Sequence, residues 1–382
     1  MMTSAPVCWL FCTVIDNFGD IGVSWRLANM LHQELGWQVH LWLDHEAALR
    51  ALCPHLSPIP CTEQHIHLHH WQAGSHAQDL DSTPAPQIVI ETFACNLPPS
   101  VLSLIRQHRA LWLNWEYLSA EDWAEAMHGK PSPQADGYPK YFWLMGFSER
   151  SGGLLREQHY PQQLTKSHLA SLRSSLALPT KNQTEWLLFG YASPIWATWL
   201  HTWQQYPQPI TLLLAGKPII ESLRQAQCIP AHALQHAGDH YSIQHIRLIH
   251  LPFVPQNQFD ALLHLVDGAI IRGEDSFVRA QLAGKPFLWH IYPQDEMAHL
   301  DKLHAFWQKA YTVFPPEIRT AHQSLSDELN GAHTLNTAQR LQAWHTLQQH
   351  FSTWQHSSQT WQQHLFHQAS AMEKLAKFIE HR

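Results

Sequence analysis

Val7-Cys-Trp-Leu-Phe-Cys-Thr-Val-Ile15, then Asp16-Asn-Phe-Gly-Asp20, then Ile21-Gly-Val-Ser-Trp-Arg-Leu-Ala-Asn-Met-Leu-His-Gln-Glu-Leu35, Gly36 and Trp37-Gln-Val-His-Leu-Trp-Leu43 decide the fold. The first run is apolar with β-branched residues, the composition of a parallel strand buried on both faces. Asp16 to Asp20 reads as a tight turn. Ile21, Trp25, Ala28, Leu31 and Leu35 then share one helical face. Gly36 ends that helix, and a second strand follows. Strand, helix and strand form a βαβ unit, which predicts a doubly wound α/β sheet.

Outward from this unit, further strands are expected at 87–92, 110–115 and 141–147, with helices at 100–108 and 120–128 between them. A polar segment at 162–184 reads as a linker. A second α/β block starts near Glu185, with strands at 186–191, 210–214, 246–251 and 268–271. After Asp301 the chain reads as helical. A last helix at 358–381 carries Trp361, Leu365, Met372, Leu375 and Ile379 on one face. The expected division is a first Rossmann-like domain over 1–180, a second over 181–357, and a C-terminal helix over 358–382 that packs back on the first.

A length of 382 residues suits two domains. Hydrophobic residues make up 45% of the chain, enough for large cores, and the 18 Trp are expected mainly there. The formal charge of -7 and the lack of a long Lys/Arg run argue against direct nucleic-acid contact, which needs phosphate neutralisation. A mildly acidic surface fits a basic partner. The six cysteines form no CxxC pair and read as reduced, with Cys8 and Cys12 in the core. No basic segment followed by a long apolar stretch opens the chain. No apolar run approaches the ~20 residues that span a bilayer. No membrane contact and a cytoplasmic setting are expected.

Two stretches carry chemistry. Asp16-Asn-Phe-Gly-Asp20-Ile-Gly stands where a dinucleotide-binding turn would read GxGxxG. Its two carboxylates would repel an anion, so the turn suits a cation or a proton. Asp20 also reads as a helix N-cap and Asp16 as a turn former. Their place at the C-terminal edge of a parallel sheet, where ligands bind, favours function.

The second stretch is Arg272-Gly-Glu-Asp-Ser-Phe-Val-Arg-Ala-Gln-Leu-Ala-Gly-Lys-Pro-Phe287. Arg272 can offset diphosphate charge. The backbone N–H groups of Asp275 and Ser276, with the Ser276 hydroxyl, can bind phosphate oxygens at a helix N-terminus. Glu274 can hold a sugar hydroxyl or steady developing positive charge. An ordinary acidic helix start would use the same residues. Phe253 and Gln256, in Leu251-Pro-Phe-Val-Pro-Gln256, can stack on a base and read its edge. Tyr191, in Gly190-Tyr-Ala-Ser-Pro194, can contact base or sugar. His65, His67, His69 and His70 alternate with apolar residues and could in principle hold zinc, but a chain with 31 His produces such clusters easily.

The chain resembles the family of elongation factor P arginine rhamnosyltransferases (EarP) over nearly its whole length. The resemblance is carried by Ile15-Asp-Asn-Phe-Gly-Asp-Ile-Gly-Val-Ser-Trp-Arg26, Trp115-Glu-Tyr-Leu-Ser-Ala-Glu-Asp-Trp123, Gly152-Gly-Leu-Leu-Arg-Glu157, Leu251-Pro-Phe-Val-Pro-Gln256 and Ile271-Arg-Gly-Glu-Asp-Ser-Phe-Val-Arg279. It implies a GT-B fold of two Rossmann-like domains facing a cleft. It implies inverting transfer of L-rhamnose from dTDP-β-L-rhamnose to one arginine of elongation factor P, which activates the factor for ribosomes stalled at consecutive prolines. No metal is then required. The resemblance places the catalytic carboxylates on Asp16, Asp20 and Glu274. It places nucleotide-sugar contacts on Tyr191, Phe253, Gln256, Arg272, Glu274, Asp275 and Ser276. The rival readings are a GT-B enzyme with a lipid or glycan acceptor and a non-catalytic nucleotide-sugar-binding module.

Overall fold

The structure is a computed structural model that describes residues 5–15, 19–160 and 166–382. The chain divides into two compact units, residues 1–160 with 368–382, and residues 161–367.

Unit 1 is built from β1 (Val7–Cys12), α1 (Gly19–Leu35), β2 (Gln38–Leu43), α2 (Glu46–Leu52), β3 (Cys61–Glu63), β4 (Ile66–Gln72), β5 (His76–Ala77), β6 (Ile88–Thr92), α3 (Pro99–His108), β7 (Leu111–Glu116), α4 (Asp122–Met127), β8 (Pro131–Pro133) and β9 (Pro139–Leu144). Its sheet runs β3-β4-β2-β1-β6-β7-β9-β8, with β5 on β4. The central strands are parallel; β3, β5 and β8 pair antiparallel at the edges. β1 is buried throughout, as its unbroken apolar run requires. The strand order reverses at β1, between β2 and β6. This is the crevice where open α/β sheets bind ligands.

Unit 2 is built from α5 (Lys166–Ser175), β10 (Thr184–Leu188), α6 (Ile195–Gln205), β11 (Ile210–Ala215), α7 (Lys217–Gln225), β12 (His240–Ile243), β13 (Ile246–Leu251), α8 (Gln256–Leu265), β14 (Gly268–Arg272), α9 (Glu274–Leu282), β15 (Phe287–His290), α10 (Ala298–Ala310), α11 (Pro316–Leu329), α12 (Thr337–Gln349) and α13 (Phe351–His367). Its sheet runs β12-β13-β11-β10-β14-β15 and is parallel except for β12 on β13. Its order reverses at β10, between β11 and β14. The chain returns to unit 1 with α14 (Ala371–Glu380).

The Trp residues do pack the cores. Trp42 stacks on Phe11 with centroids 4.8 Å apart, and Phe277 stacks on Trp289 at 3.8 Å. Some of these rings also seat their indole N–H: Trp9 donates to Pro84 O at 3.1 Å and Trp42 to Gln78 O at 2.8 Å.

Three expectations change. The units divide at 160/161 and 367/368, not at 180/181 and 357/358. The expected linker contains α5, which packs on α8 and is tied into unit 2 by Arg173, whose guanidinium grips both Glu185 oxygens at 3.0 and 2.5 Å. The expected last helix is two helices. α13 ends at His367, and Ser370 starts α14 with a capping box to Glu373. Trp361 therefore stays in unit 2, donating to Gln281 Oε1 at 2.9 Å, while Met372 and Leu375 are buried in unit 1. α14 packs on α1, and Phe378 meets Trp143 edge-on at 5.5 Å. α8 starts at Gln256, so that residue lies in the helix.

Candidate functional site

In unit 1 the acidic residues gather at the carboxyl ends of the central strands. Asp20 is the second residue of α1 and is 2% exposed. One carboxylate oxygen accepts from Ile15 N at 2.7 Å, the other from the Tyr117 hydroxyl at 3.1 Å. A buried charge at a helix N-terminus is favoured by the helix dipole and by such donors. Asp44, just past β2, accepts from Val14 N at 3.0 Å. Burial raises its pKa, and the charge on Asp20 adds to that effect. Asp16 lies outside the described residues.

Two more groups shape this edge. Tyr117 follows β7, and its ring stacks on Phe93, which follows β6, at 4.0 Å and 11°. Deeper in the sheet, Glu91 on β6 pairs with Lys140 Nζ at 2.6 Å. Burial raises the Glu91 pKa, and the lysine opposes that shift.

In unit 2 the polar groups gather around the reversal point at β10. Arg272 ends β14, and its guanidinium lies 4.8 Å from the Phe189 ring centroid and 4.9 Å from that of Tyr191. Phe189 and Tyr191 leave the end of β10, and Phe189 N donates to Ile270 O on β14 at 2.8 Å. Gly190 between them has no room for a side chain: a Cβ there would sit 2.3 Å from the Trp196 ring. Tyr191 N donates to His290 Nδ1 at 3.2 Å. Burial, and then the charge of Arg272, push the His290 pKa down to about 3. A neutral imidazole is what that acceptor role needs.

Gly273 is the N-cap of α9, at φ 72°, a conformation that favours glycine. It brings no capping side chain, so the first-turn N–H groups of α9 can face an anion. α9 is held from below by Arg279, whose guanidinium grips both Asp260 oxygens at 2.7 and 2.6 Å. That pair joins α9 to α8. Gln256 Nε2 donates to Asp275 Oδ2 at 2.9 Å and joins the two helices again at their starts. Glu274 Oε1 accepts from Lys302 Nζ at 2.5 Å. Phe253 stands in the loop before α8, 54% exposed. At the far end of α9, Lys285 donates to Val266 O at 2.8 Å, and burial pulls its pKa down to about 8. The Gly-Lys-Pro sequence is thus a helix-end clamp.

The structure brings Arg272 to Tyr191 and Gln256 to Asp275, and sets Glu274, Asp275 and Ser276 on the first turn of α9. It adds residues that sequence reasoning did not single out: Asp44 and Tyr117 in unit 1, and Phe189, His290 and Lys302 in unit 2. Asp44, Phe189 and His290 stand at strand ends, and the edge rule that marked Asp20 also marks them. Nothing in the local sequence marks Lys302.

The alternating histidines are a packed network. His67 and His69 lie on β4, and His40 on β2 stacks on His67 at 4.5 Å. His40 Nδ1 and His69 Nε2 are 3.0 Å apart, and His69 Nδ1 is 3.1 Å from Asp79 Oδ2. Burial lowers all three pKa values, that of His40 to about 3. No group of three or more metal-ligating side chains stands together among the described residues. No helix among them is long and apolar enough to cross a membrane.

Two doubly wound units, one with an acidic reversal point and the other with an arginine beside a helix N-terminus, have the architecture of the GT-B glycosyltransferases. The fold matches a solved glycosyltransferase from Rickettsia africae, with a TM-score of 0.53, 10% identity and coverage of 99% of this chain and 98% of that one. The chain belongs to the family described as Elongation-Factor P (EF-P) rhamnosyltransferase EarP, whose profile matches residues 8–380. A protein-arginine rhamnosyltransferase of Neisseria meningitidis is 59% identical over 379 residues, 99% of this chain and 98% of the relative. A solved structure reported as the structural basis for EarP-mediated arginine glycosylation of translation elongation factor EF-P aligns with a TM-score of 0.65 and 24% identity. That alignment covers 98% of this chain and 99% of that one.

Proposed function

We propose that this enzyme transfers L-rhamnose from dTDP-β-L-rhamnose to an arginine side chain of elongation factor P, with inversion at the sugar carbon. The observation that carries the reading is Asp20: a buried carboxylate held by two donors at the reversal point of a parallel sheet. The relation to protein-arginine rhamnosyltransferases supplies the acceptor and the sugar.

Guanidinium is protonated and a poor nucleophile. Asp20 orients it and takes a proton from the attacking nitrogen as the C–N bond forms. Asp16 positions the guanidinium beside it. The bond from the sugar carbon to the diphosphate oxygen breaks, and dTDP leaves with the electron pair. Arg272 and the N–H groups of α9, with the Ser276 hydroxyl, balance the charge on the leaving diphosphate. Glu274 holds the sugar or steadies positive charge developing on it. Phe253 and Tyr191 pack against base and sugar, and Gln256 and Asp275 form the polar edge beside them.

The test is direct. The protein is incubated with dTDP-rhamnose and unmodified elongation factor P, and the factor is read by mass spectrometry for a rhamnose increment on arginine. No increment with folded partners would sink the reading. The same assay with a chelator should give the same rate; a loss restored by a divalent cation would show that the leaving group is balanced by a metal.

A further inference from the structure

The Trp115-Glu-Tyr117-Leu-Ser stretch is distinctive in the sequence, yet the donor chemistry gives it no role. Its tyrosine stands beside the carboxylate proposed as base. The hydroxyl of Tyr117 donates to Asp20 Oδ1 at 3.1 Å, while its ring lies flat on Phe93, 4.0 Å between centroids and 11° between planes. Tyr117 is 37% exposed and Phe93 is half-buried.

This pair is held with care. Phe93 and Ala94 both adopt left-handed backbone, at φ 56° and 52°, which non-glycine residues seldom do. Phe93 N donates to Trp115 O at 2.8 Å, and Ala94 N to Asn114 Oδ1 at 3.0 Å. Asn114 is buried, and its amide donates to Glu116 Oε1 at 2.5 Å. The end of β7 thus fixes the turn after β6, and that turn sets the Phe93 ring under Tyr117. Backbone in such conformations persists where its surroundings over-determine it, commonly at ligand sites.

We propose that Phe93 and Tyr117 recognise the acceptor: their stacked rings take the flat face of the acceptor guanidinium while the Tyr117 hydroxyl fixes the Asp20 carboxylate that grips its edge. The inference rests on the arginine-transfer reading above. A guanidinium is planar, weakly hydrated and stacks on aromatic faces, whereas an ammonium is a compact, strongly hydrated point charge. An aromatic platform beside a carboxylate therefore selects arginine over lysine. Phe93 acts as a specificity residue. Tyr117 has two parts, a ring that binds and a hydroxyl that positions the base.

The two parts separate experimentally. Phe93→Leu removes half the stack and should raise the KM for elongation factor P about fivefold to tenfold, with kcat and donor KM within about twofold. Phe93→Tyr keeps a ring and should restore the acceptor KM. Tyr117→Phe keeps the ring and loses the hydroxyl; it should lower kcat about tenfold and leave the acceptor KM near its normal value. A merely structural pair would move donor and acceptor constants together. An acceptor KM unchanged in Phe93→Leu, or moved equally by Tyr117→Phe, would overturn the proposal. If the unaltered protein does not modify elongation factor P, the transfer reading fails separately. The platform is then tested by NMR titration with N-acetyl-arginine amide and N-acetyl-lysine amide. Arginine-selective shifts lost in Phe93→Leu support it; equal or absent shifts for both probes overturn it.

Discussion

Lys302 Nζ donates to Glu274 Oε1 at 2.5 Å and so ties α10 to the first residue of α9. Both side chains are mostly buried, 19% and 15% exposed. The carboxylate that sequence reasoning gives to the sugar is therefore held by a cation 28 residues further along the chain, in the Gln/His-rich helical region.

Lys302→Met should lower kcat/KM for transfer about tenfold to a hundredfold, since a charge-assisted hydrogen bond in such a setting is worth roughly 1.5–3 kcal/mol. If Lys302 acts through Glu274, the double variant Lys302→Met/Glu274→Gln should be little worse than Glu274→Gln alone. Steady-state kinetics of the two single variants and the double variant check this. Additive losses would mean that Lys302 acts elsewhere.

Asp20→Asn keeps the side-chain shape and an oxygen for Ile15 N, but it removes the base. Transfer should fall by at least about a hundredfold to ten-thousandfold. Affinity for dTDP, measured by calorimetry, should stay within about twofold, because the proposed nucleotide contacts all lie in unit 2. Loss of dTDP binding to the same degree would make Asp20 structural.

On the nucleotide side, Arg272 stacks against two rings. Lysine reproduces neither the planar fork nor the stack, so Arg272→Lys should weaken dTDP binding about tenfold. Phe253→Ala should weaken it about fivefold or more, the range of base-stacking contacts. An unchanged dTDP affinity in Phe253→Ala would leave that exposed ring with a packing role alone.

Stability should fall with acid. His40, His128, His290 and His322 are lowered by burial to about 3, 4, 3 and 4, and His67, His69 and His264 are lowered as well. Below the ordinary histidine value near 6.5, the unfolded chain takes up protons that the folded chain refuses. The stability these groups contribute is present above that value and is lost as pH falls toward the folded values. Raised carboxyl pKa values at Glu34, Asp44 and Glu91 oppose the trend at the acid end. The melting temperature should drop by several degrees between pH 7 and about 5.5. His322→Gln should flatten that slope; a melting temperature independent of pH over this range would refute the account.

The sequence reached some of these features through patterns that are local by nature. The βαβ start was legible because a strand buried on both faces must be apolar throughout and a helix must repeat at its own period. Asp20 and Arg272 were legible as candidates because both stand by the carboxyl end of a strand, at the ligand-binding edge. The break at Ser370 was not legible, because Met372 and Leu375 continue the same helical stripe as Trp361 and Leu365. A capping box and a second packing partner, not a change of periodicity, end α13. The histidines of β4 were legible as one face of a strand. Their stacking on His40 was not, since β2 meets β4 only through the sheet order.

What the sequence marked out by itself is two candidate sites: an acidic turn where an anion site would be expected, and an Arg-Gly-acid-acid-Ser helix start where a diphosphate can bind. Residue type and position along a strand are enough for that. Tertiary structure alone decided which groups hold those residues in place: Tyr117 on Asp20, Lys302 on Glu274, Gln256 on Asp275 and Phe93 under Tyr117. These partners lie 97, 28, 19 and 24 residues apart in the chain. Their contacts depend on sheet order and helix packing, which bring strand ends and helix starts together without leaving a periodic trace in the sequence.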